Sequence, residues 1–324
     1  MTLKLLALLA VLLGAGAVAT AWRSAANARA TETAYPPEGA FVEVILTMPG
    51  QGAETRALVH YTIEGTGPDL ILIHGASGST RDFSWAMVPA LRDRYRVITF
   101  DRPGFGYSTR IPGATIADQA AILAAAADQI GIRRPIVLGQ SYGGAVALAW
   151  ALQRDDTAAL VLVSAASNPW TTGIGAYYTA LSSAPGQAFM APLLSAWVPD
   201  AAIDTALGMV FAPNPAPQGY ADHIGPRLSL RLPTLRENAT QRRTLLGEIT
   251  DQVVRYPELS LPIEILHGTD DTIVPAATHS EPLSRQLRNA DLRLLDGIGH
   301  MPHHVALDEV LAAIDRAAAR AGLP

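Results

Sequence analysis

The residues of this sequence best suited to chemistry are a serine, a histidine and an aspartate that each follow a short apolar segment. Ser141 lies in the pattern Gly-x-Ser-x-Gly, between an apolar run at 136–138 that predicts a strand and small residues that predict a helix. Gly139 and Gly143 permit a tight turn, and such a turn exposes the serine hydroxyl. We therefore predict that Ser141 is a nucleophile rather than a structural turn residue.

A serine nucleophile requires a base within hydrogen-bond reach, and eight histidines compete for that role. His300 alone follows a Gly-x-Gly turn directly after a predicted strand, 292–295, and lies downstream of an acidic loop. His303 and His304 follow closely, but the sequence shows no carboxylate support beside them, so we predict no metal site. The other histidines fall in positions that favour structural roles: His60, His74, His223, His267 and His279.

Two adjacent carboxylates, Asp270 and Asp271, follow segment 263–268, which predicts a strand ending in glycine. Open α/β sheets place their sites at the carboxyl ends of the strands, so this loop is well placed for chemistry. Asp271 fits the spacing Gly-x-x-Asp-x-x-Val-Pro. The alternative is that Asp270 is the acid and Asp271 caps the turn. Asp101, after a predicted strand at 95–100, is expected to fix its own Pro- and Gly-containing loop.

The elements that must position these residues alternate between apolar strands and helices. A weakly alternating hairpin comes first, followed by a fully apolar strand that suits a sheet covered on both faces. The Gly-rich turn 74–79 after that strand lacks the spacing of a phosphate loop, so an oxyanion loop is the better interpretation. The predicted strands are 41–46, 56–63, 69–73, 95–100, 136–138, 160–163, 263–268 and 292–295, and the predicted core helices are 82–91, 115–130 and 275–287.

Residues 168–252 interrupt this alternation with short apolar helical patches, many aromatic residues and a Pro-rich kink at 212–217. Such an insertion is typical of a lid laid over a site. The predicted divisions are a leader at 1–22, a linker at 23–40, a first core part at 41–167, the lid at 168–252 and a second core part at 253–324.

The N-terminus carries Lys4 and then an uncharged apolar segment from Leu5 to Trp22. This pattern predicts a signal peptide or a signal anchor, and the two remain equally possible. Small residues at 17–19 and 19–21 resemble cleavage sites, whereas the length is near the minimum for a membrane span. In either case we expect the folded part to be exported, as a membrane-anchored or a periplasmic or secreted protein.

The composition excludes several classes of function. The formal net charge is −5 with no basic block, which argues against nucleic-acid binding. The chain has no cysteine, so it forms no disulfide and no thiolate site. We expect no metal or organic cofactor. The oligomeric state is not predicted.

The chain order Ser141, Asp271, His300, together with the loops at 74–79 and 101–108, resembles the α/β-hydrolase superfamily from about residue 41 to 324. The motifs are most similar to the lid-bearing branch of serine esterases, meta-cleavage hydrolases and cofactor-free haloperoxidases. The resemblance implies a mostly parallel eight-stranded sheet with helices on both faces and a helical lid after the sixth strand. Gln140 departs from the histidine that many relatives carry there, which we expect to matter little to the chemistry.

The resemblance also implies roles. His300 would take the proton of Ser141 and return it to the leaving group, and Asp271 would orient the imidazole. The N–H groups of Tyr142 and Ala76 would stabilise the oxyanion. We therefore predict a hydrolase that cleaves a small or medium apolar carboxylic ester through an acyl-enzyme.

Two other functions remain open. A meta-cleavage type of C–C bond hydrolase is the first alternative, although an export segment counts against it. A non-catalytic ligand-binding protein on the same scaffold is the second, although a complete Ser, His and Asp set counts against it. A serine at position 141 argues against haloalkane dehalogenase and epoxide hydrolase chemistry, whose enzymes form the ester on a carboxylate.

Overall fold

An eight-stranded sheet forms the centre of the computed structural model, which describes residues 2–48 and 54–324. Met1 and residues 49–53, parts of the predicted leader and of the first core part, lie outside the described residues. The strands are β1 Ala40–Thr47, β2 Glu54–Glu64, β3 Asp69–Ile73, β4 Arg96–Phe100, β5 Ile136–Gln140, β6 Ala159–Val163, β7 Ile263–Gly268 and β8 Ala290–Leu295.

The strand order is β1-β2-β4-β3-β5-β6-β7-β8. β2 pairs antiparallel with both β1 and β4, and every other pairing is parallel. The prediction of a mostly parallel eight-stranded sheet is therefore confirmed. Because β3, β5, β6 and β7 run in the same direction, their carboxyl ends meet at one edge, which is where the predicted site residues follow them.

The central strands are apolar on both sides because helices cover both faces of the sheet. In β3, Leu70 and Leu72 pack into the core on one face, whereas Ile71 and Ile73 pack into the core on the other. Side chains alternate between the two faces of a strand, so an unbroken apolar run is the pattern that a doubly covered strand requires.

The helices divide between the core, the lid and the N-terminus. In the core they are α2 Thr80–Ser84, α3 Met87–Leu91, α4 Ile116–Gln129, α5 Tyr142–Ala151, α11 Ser280–Gln286, α12 Pro302–Val305 and α13 Leu307–Arg320; in the insertion between β6 and β7 they are α6 Gly175–Ser182, α7 Ala191–Trp197, α8 Asp200–Phe211, α9 Tyr220–Ile224 and α10 Leu232–Val253; and at the N-terminus there is α1 Thr2–Ala34.

Two predicted core helices differ from those of the structure, and in both the difference coincides with tertiary contacts. The helix predicted over 82–91 is divided at Trp85, whose ring packs against two aromatic residues of the lid helix α9. The helix predicted over 275–287 begins only at Ser280. The turn before it places His279 so that its Nδ1 accepts hydrogen bonds from the backbone N–H groups of Ser167 and Asn168.

The linker predicted over 23–40 is wrong for residues 23–34, which continue α1 without a break. This part of α1 is helical because it packs against the lid. The hydroxyls of Ser24 and Ser195 lie 2.8 Å apart, and Asn27 Nδ2 donates to the carbonyls of Ser195 and Ala196. Long-range contacts of this kind are invisible in a polar sequence segment.

By length and composition, α1 could cross a membrane, and it is the only single helix of the described residues that meets those criteria. The apolar half of α1 is exposed. The lid contains a second apolar stretch, Gly186–Trp197 followed by Asp200–Phe211, whose two parts are bent by 103°. These two apolar regions meet where α1 contacts α7.

Candidate active site

Ser141 occupies a strained turn between β5 and α5, with φ 53° and ψ −118°. Its neighbours explain why the sequence has glycine on either side. A Cβ at Gly143 would lie 2.1 Å from the carbonyl oxygen of Ile73, and a Cβ at Gly139 would lie 2.3 Å from that of Gly143. Only glycine permits such close approach, so the turn holds the Ser141 side chain at the carboxyl edge of the sheet.

His300 lies between Ser141 and Asp271. Its Nε2 is 2.9 Å from Ser141 Oγ, and its Nδ1 is 2.7 Å from Asp271 Oδ2. The three residues are only 4–8% exposed. Residues separated by up to 159 positions therefore form one chain of two hydrogen bonds, as expected for a nucleophile, a base and an orienting acid.

Asp271 is held in a set of hydrogen bonds that stabilise its charged form. Its Oδ1 accepts from the backbone N–H groups of Ile273 and Val274, each at 2.9 Å. Burial by itself would raise the pKa of this carboxyl, but hydrogen bonds from His267 and His300 hold the pKa well below its usual range. Asp271 is thus an ionised partner for the imidazole.

Asp270, the alternative acid, is exposed, and its carboxylate accepts a hydrogen bond from the Thr269 hydroxyl at 3.2 Å. His267 is the residue that sequence reasoning missed here. Its Nε2 lies 3.2 Å from Asp271 Oδ2 and 2.6 Å from the carbonyl oxygen of Val274. The sequence signal for this contact is the i, i+4 spacing of His267 and Asp271. That spacing brings side chains together in a helix, but it does not predict a contact between the end of a strand and the loop that follows it.

The loop after β3 lies beside the serine, because a Cβ at Gly75 would be 3.1 Å from Ser141 Cβ. Tyr142 is the first residue of α5, where backbone N–H groups have no acceptor within the helix. Neither its N–H nor that of Ala76 donates in any turn or loop hydrogen bond formed by the described residues. Both N–H groups therefore have no backbone acceptor within the described part of the chain.

Arg102, buried completely, fixes that loop from behind. Its Nε donates to the carbonyl of His74 at 2.9 Å and its Nη2 to the carbonyl of Gly75 at 3.0 Å. The remaining guanidinium nitrogen donates to the side-chain oxygens of Gln119 in α4 and Gln241 in the lid helix α10. Burial lowers the pKa of Arg102 to about 10, so it stays charged at neutral pH.

Asp101 lies in a structural network, as the sequence predicts. Its carboxylate accepts from the backbone N–H groups of Thr80 and Tyr107 and contacts His60 Nδ1 at 2.6 Å. Burial by itself would raise the pKa of Asp101, but the hydrogen bond to His60 lowers it. These contacts join β2 to the start of α2 and to the loop after β4, and none of them involves Ser141 or His300.

Gln140, the residue that departs from the pattern of the resemblance, contacts the base. Its Nε2 donates to the backbone carbonyl of His300 at 3.3 Å and lies 3.8 Å from Met301 Sδ. The side chain before the nucleophile therefore steadies the loop that carries the imidazole. No local pattern around Gln140 indicates this contact.

Side chains of the insertion between β6 and β7, the predicted lid, make polar contacts with the loops beside this site. The Asn214 side chain accepts from Gly299 N–H and donates to Gly297 O, so the Pro-rich segment braces the turn before His300. On the opposite side, Asn238 Nδ2 of α10 donates to Ser77 Oγ at 2.9 Å. The lid thus contacts both the turn before His300 and the loop after β3.

The family model described as the Alpha/beta hydrolase family matches residues 70–313. The chain belongs to the α/β-hydrolase family. Its motif order, its sheet and the placement of its site agree with that membership.

Individual proteins similar to this α/β-hydrolase carry different activities in their names. Haloalkane dehalogenase 2 of Mycobacterium tuberculosis is 34% identical over 141 residues, which are 41% of this chain and 48% of that relative. The chain therefore spans about half the length of this curated relative.

Two solved structures share the fold. An esterase from Thermogutta terrifontis aligns with a TM-score of 0.66 and 24% identity over 87% of this chain and 99% of its own. A membrane phospholipase A, described as a bacterial virulence factor, aligns with a TM-score of 0.59 and 21% identity over 98% of this chain and 99% of its own. At these sequence identities the similarity establishes the shared fold, and the activities named for these two proteins describe those proteins only.

Outside the triad, the hydrolase contains a buried cluster that sequence reasoning missed. Asp82 of α2 lies 3.2 Å from His303 Nε2 and 2.8 Å from His304 Nε2, and it accepts a hydrogen bond from the Tyr220 hydroxyl at 2.6 Å. The prediction that the histidine pair lacks a carboxylate is therefore wrong. Asp82 was invisible because it precedes the pair by more than 220 positions.

This cluster could supply three ligands to a metal ion. However, Nδ1 of both His303 and His304 is buried and has no hydrogen-bond partner among the described residues, whereas metal-bound histidines usually donate a hydrogen bond from that nitrogen to a neighbouring acceptor. We therefore interpret the cluster as a hydrogen-bonded connection between α2, the lid helix α9 and the helix that follows His300.

Proposed function

We propose that this hydrolase cleaves a carboxylic ester through an acyl-enzyme on Ser141, while α1 anchors the enzyme in a membrane. The observation that carries the catalytic part is the position of His300, within hydrogen-bond distance of both Ser141 Oγ and Asp271 Oδ2. A serine hydroxyl is a poor nucleophile unless a base of this kind accepts its proton.

In the first half of the reaction, Ser141 Oγ attacks the ester carbonyl and its proton passes to His300 Nε2. The Asp271 carboxylate stabilises the resulting imidazolium through Nδ1. The N–H groups of Tyr142 and Ala76 donate to the oxyanion of the tetrahedral intermediate. His300 then protonates the leaving alkoxide, which departs as an alcohol and leaves the acyl-enzyme.

In the second half, His300 takes a proton from a water molecule that attacks the acyl-enzyme carbonyl. Collapse of the second tetrahedral intermediate breaks the bond to Ser141 Oγ, which recovers its proton from His300, and releases the carboxylic acid. Each step needs only groups already within reach in this chain.

The dehalogenase among the relatives does not change this proposal. Haloalkane dehalogenases of the resemblance form their ester on a carboxylate, and this chain has a serine at that turn. A neutral serine hydroxyl paired with a base is suited to attack on a carbonyl carbon, where the oxyanion donors contribute most.

The catalytic proposal is tested by hydrolysis of p-nitrophenyl esters and by covalent labelling with a fluorophosphonate. We expect Ser141→Ala to lower kcat/KM by roughly four to six orders of magnitude and to abolish labelling. Ser164→Ala is the matched control, because Ser164 is also buried, follows the neighbouring strand β6 and has a positive φ of 46°. Ester hydrolysis that survives in Ser141→Ala would show that another nucleophile acts.

Anchoring by α1 is supported by its length, its apolar exposed half and its unbroken continuation into the folded part. The potential cleavage sites lie inside this helix, and Thr20 between them accepts a hydrogen bond from Trp197 Nε1 of the lid. Export is expected with either outcome at these sites. Intact mass measurement of the protein extracted from membranes tests anchoring: a mass lacking the first 19 or 21 residues contradicts it.

A further inference from the structure

We propose that one face of the lid, formed by Phe189, Leu193 and Trp197, rests on the lipid bilayer that α1 spans. We call these three residues the apolar lid face. This inference rests on the proposed anchoring by α1 and extends the proposed function, because a docked lid receives its ester from the same bilayer. The substrate class would then be amphiphilic esters whose acyl chains lie in the membrane.

The three side chains of the apolar lid face are largely exposed. Phe189, Leu193 and Trp197 are 71%, 53% and 49% exposed. Their spacing of four residues puts them on one side of the helical stretch. They line a groove of about 730 Å³, and none of the residues that line this groove is charged. Large apolar side chains grouped on one face of a helix suit contact with another apolar surface.

Contacts between α1 and α7 determine which way this face points. Ser195 contacts Ser24 and Asn27, which lie after the apolar segment of α1. Trp197, in contrast, donates from Nε1 to Thr20, which lies within the apolar segment. The side of α7 that carries Trp197 is therefore turned toward the part of α1 that we assign to the bilayer, whereas Ser195 faces the polar part.

The level of the bilayer surface follows from the composition of α1. The uncharged stretch 5–22 would be about 27 Å long as a helix, close to the roughly 30 Å of a hydrocarbon core. The stretch ends at Trp22, which is 69% exposed. The next residue is Arg23, whose guanidinium lies 4.4 Å from the centre of the Trp197 ring. Tryptophan and arginine are characteristic of the membrane interface. The apolar lid face thus begins at the level where the bilayer surface lies.

A bilayer is the occupant that these observations favour over a second copy of the chain. If α1 spans a membrane, lipid adjoins this end of the groove in every molecule, whatever its oligomeric state. The groove offers no charged group that would orient a protein partner. Interfacial helices of peripheral enzymes use the same combination of exposed Phe, Leu and Trp.

The absence of cysteine permits a direct test with site-specific probes. Leu193→Cys carries an environment-sensitive fluorophore, and the full-length protein is reconstituted into phosphatidylcholine–phosphatidylglycerol vesicles. Val254→Cys is the control, because Val254 is 75% exposed and its neighbour Arg255 contacts Leu152 at the end of α5 remote from Ser141. We expect spin-labelled lipids to quench the probe at 193 and to leave the probe at 254 unaffected.

Two results would overturn the proposal. In the first, the probe at 193 remains as accessible to aqueous quenchers as the probe at 254. In the second, the probe at 193 is protected from aqueous quenchers but is not quenched by lipids, and cysteines at 193 of two copies crosslink. The second result would assign the face to a second copy of the chain. Neither result depends on the enzyme being active, so this test is independent of the proposed catalysis.

An activity measurement then tests the consequence for substrate. We expect Leu193→Ser to lower hydrolysis of a long-chain ester embedded in vesicles about tenfold, since a buried leucine contributes roughly that factor to an association. Hydrolysis of a short water-soluble ester is expected to remain unchanged, as are both activities in Val254→Ser. Equal loss on both esters would contradict docking, whereas a wild-type protein inactive on both would contradict the proposed function alone.

Discussion

Two short apolar helices of this protein, α5 and α8, have opposite surroundings. All ten residues of α5 are buried, whereas only Ile203 and Phe211 are buried in the 12 residues of α8. Small residues let α5 pack tightly between the sheet and α4. α8 belongs to the lid and has little core to cover. Apolar composition therefore determines that a helix can be buried, but its place in the fold determines what buries it.

The same contrast distinguishes the residues of the candidate site from the lid. Ser141, His300 and Asp271 are all carried by the ends of core strands and held by buried hydrogen bonds. The lid contributes polar contacts such as those of Asn214 and Asn238, and its apolar surface points outward. If this division is correct, changes in the core will strongly affect stability and the hydrolysis of soluble esters, and changes in the lid will have small effects on both.

The largest expected effect compares the two adjacent aspartates at the end of β7. Asp271→Asn should lower kcat/KM on a soluble ester by about 10⁴-fold, because His300 loses the partner that fixes its tautomer. Asp270→Asn is the matched control and should stay within about twofold, since Asp270 is exposed. Comparable losses in both variants would mean that the orienting acid has been misidentified.

A pair of glycine substitutions compares core and lid directly. Gly143→Ala should destabilise the protein by about 3 kcal/mol or more, because its Cβ would meet the carbonyl of Ile73 at 2.1 Å. Gly208→Ala in α8 should stabilise it by about 0.5–1 kcal/mol, because its Cβ meets nothing within 4 Å and alanine favours the helix. Chemical denaturation in detergent micelles measures both. Destabilisation by Gly208→Ala would show that the lid is as tightly packed as the core.

Acid should destabilise the core through its buried histidines. Burial lowers the pKa of His74, His279 and His303 to about 4 each. The unfolded chain protonates histidine near pH 6.5, so unfolding takes up protons between about pH 6.5 and 4. Each of these histidines should therefore reduce the free energy of unfolding by up to about 1.4 kcal/mol per pH unit in that window. Burial by itself would lower the pKa of His60, but the hydrogen bond to Asp101 raises it, so protonation of His60 stabilises the folded chain as the pH falls toward 6.5, and this contribution is fully present below that pH.

Denaturation midpoints between pH 7.5 and pH 4.5 measure this dependence. His303→Gln should flatten it, because one proton fewer is taken up on unfolding. An unchanged pH dependence in this variant, with the fold intact by circular dichroism, would show that His303 is not held neutral in the core.

Gln140→Ala should have an intermediate effect. It removes the donor to the His300 carbonyl, and an unpaired buried carbonyl costs about 1–3 kcal/mol. We expect kcat to fall about tenfold while KM changes little, because the substitution displaces the base without touching the substrate. Gln140→Glu keeps the size of the side chain but removes this donor, and it should reproduce the loss; full activity in both variants would contradict the contact.

The smallest effect is expected where α1 meets the lid. Asn27→Ala removes two hydrogen bonds to α7 and should cost about 1 kcal/mol at a partly exposed site. Hydrogen exchange should speed up in α7 and remain unchanged in α5. Faster exchange in α5 as well would indicate that the lid and the core unfold as one unit.

Much of the core could be predicted from the sequence because its signals are local. Continuous apolar runs identify the doubly covered strands, and Gly-x-Ser-x-Gly identifies the turn at Ser141. Parallel strands bring their carboxyl ends to one edge, so the positions of Asp271 and His300 after predicted strands are enough to name them as neighbours of the serine. The predicted fold is confirmed, and the catalytic roles of these residues stay a proposal.

Contacts between segments far apart in the chain depend on the tertiary structure and have no local pattern. Asp82 joins His303 and His304 across more than 220 positions, and residues 23–34 become helical because they pack on a lid that follows them by some 170 positions. The spacing of apolar residues and the types of turn residues determine where helices and strands form and end. A polar side chain reaches its hydrogen-bond partner only when separate elements pack together, and that packing depends on the whole fold.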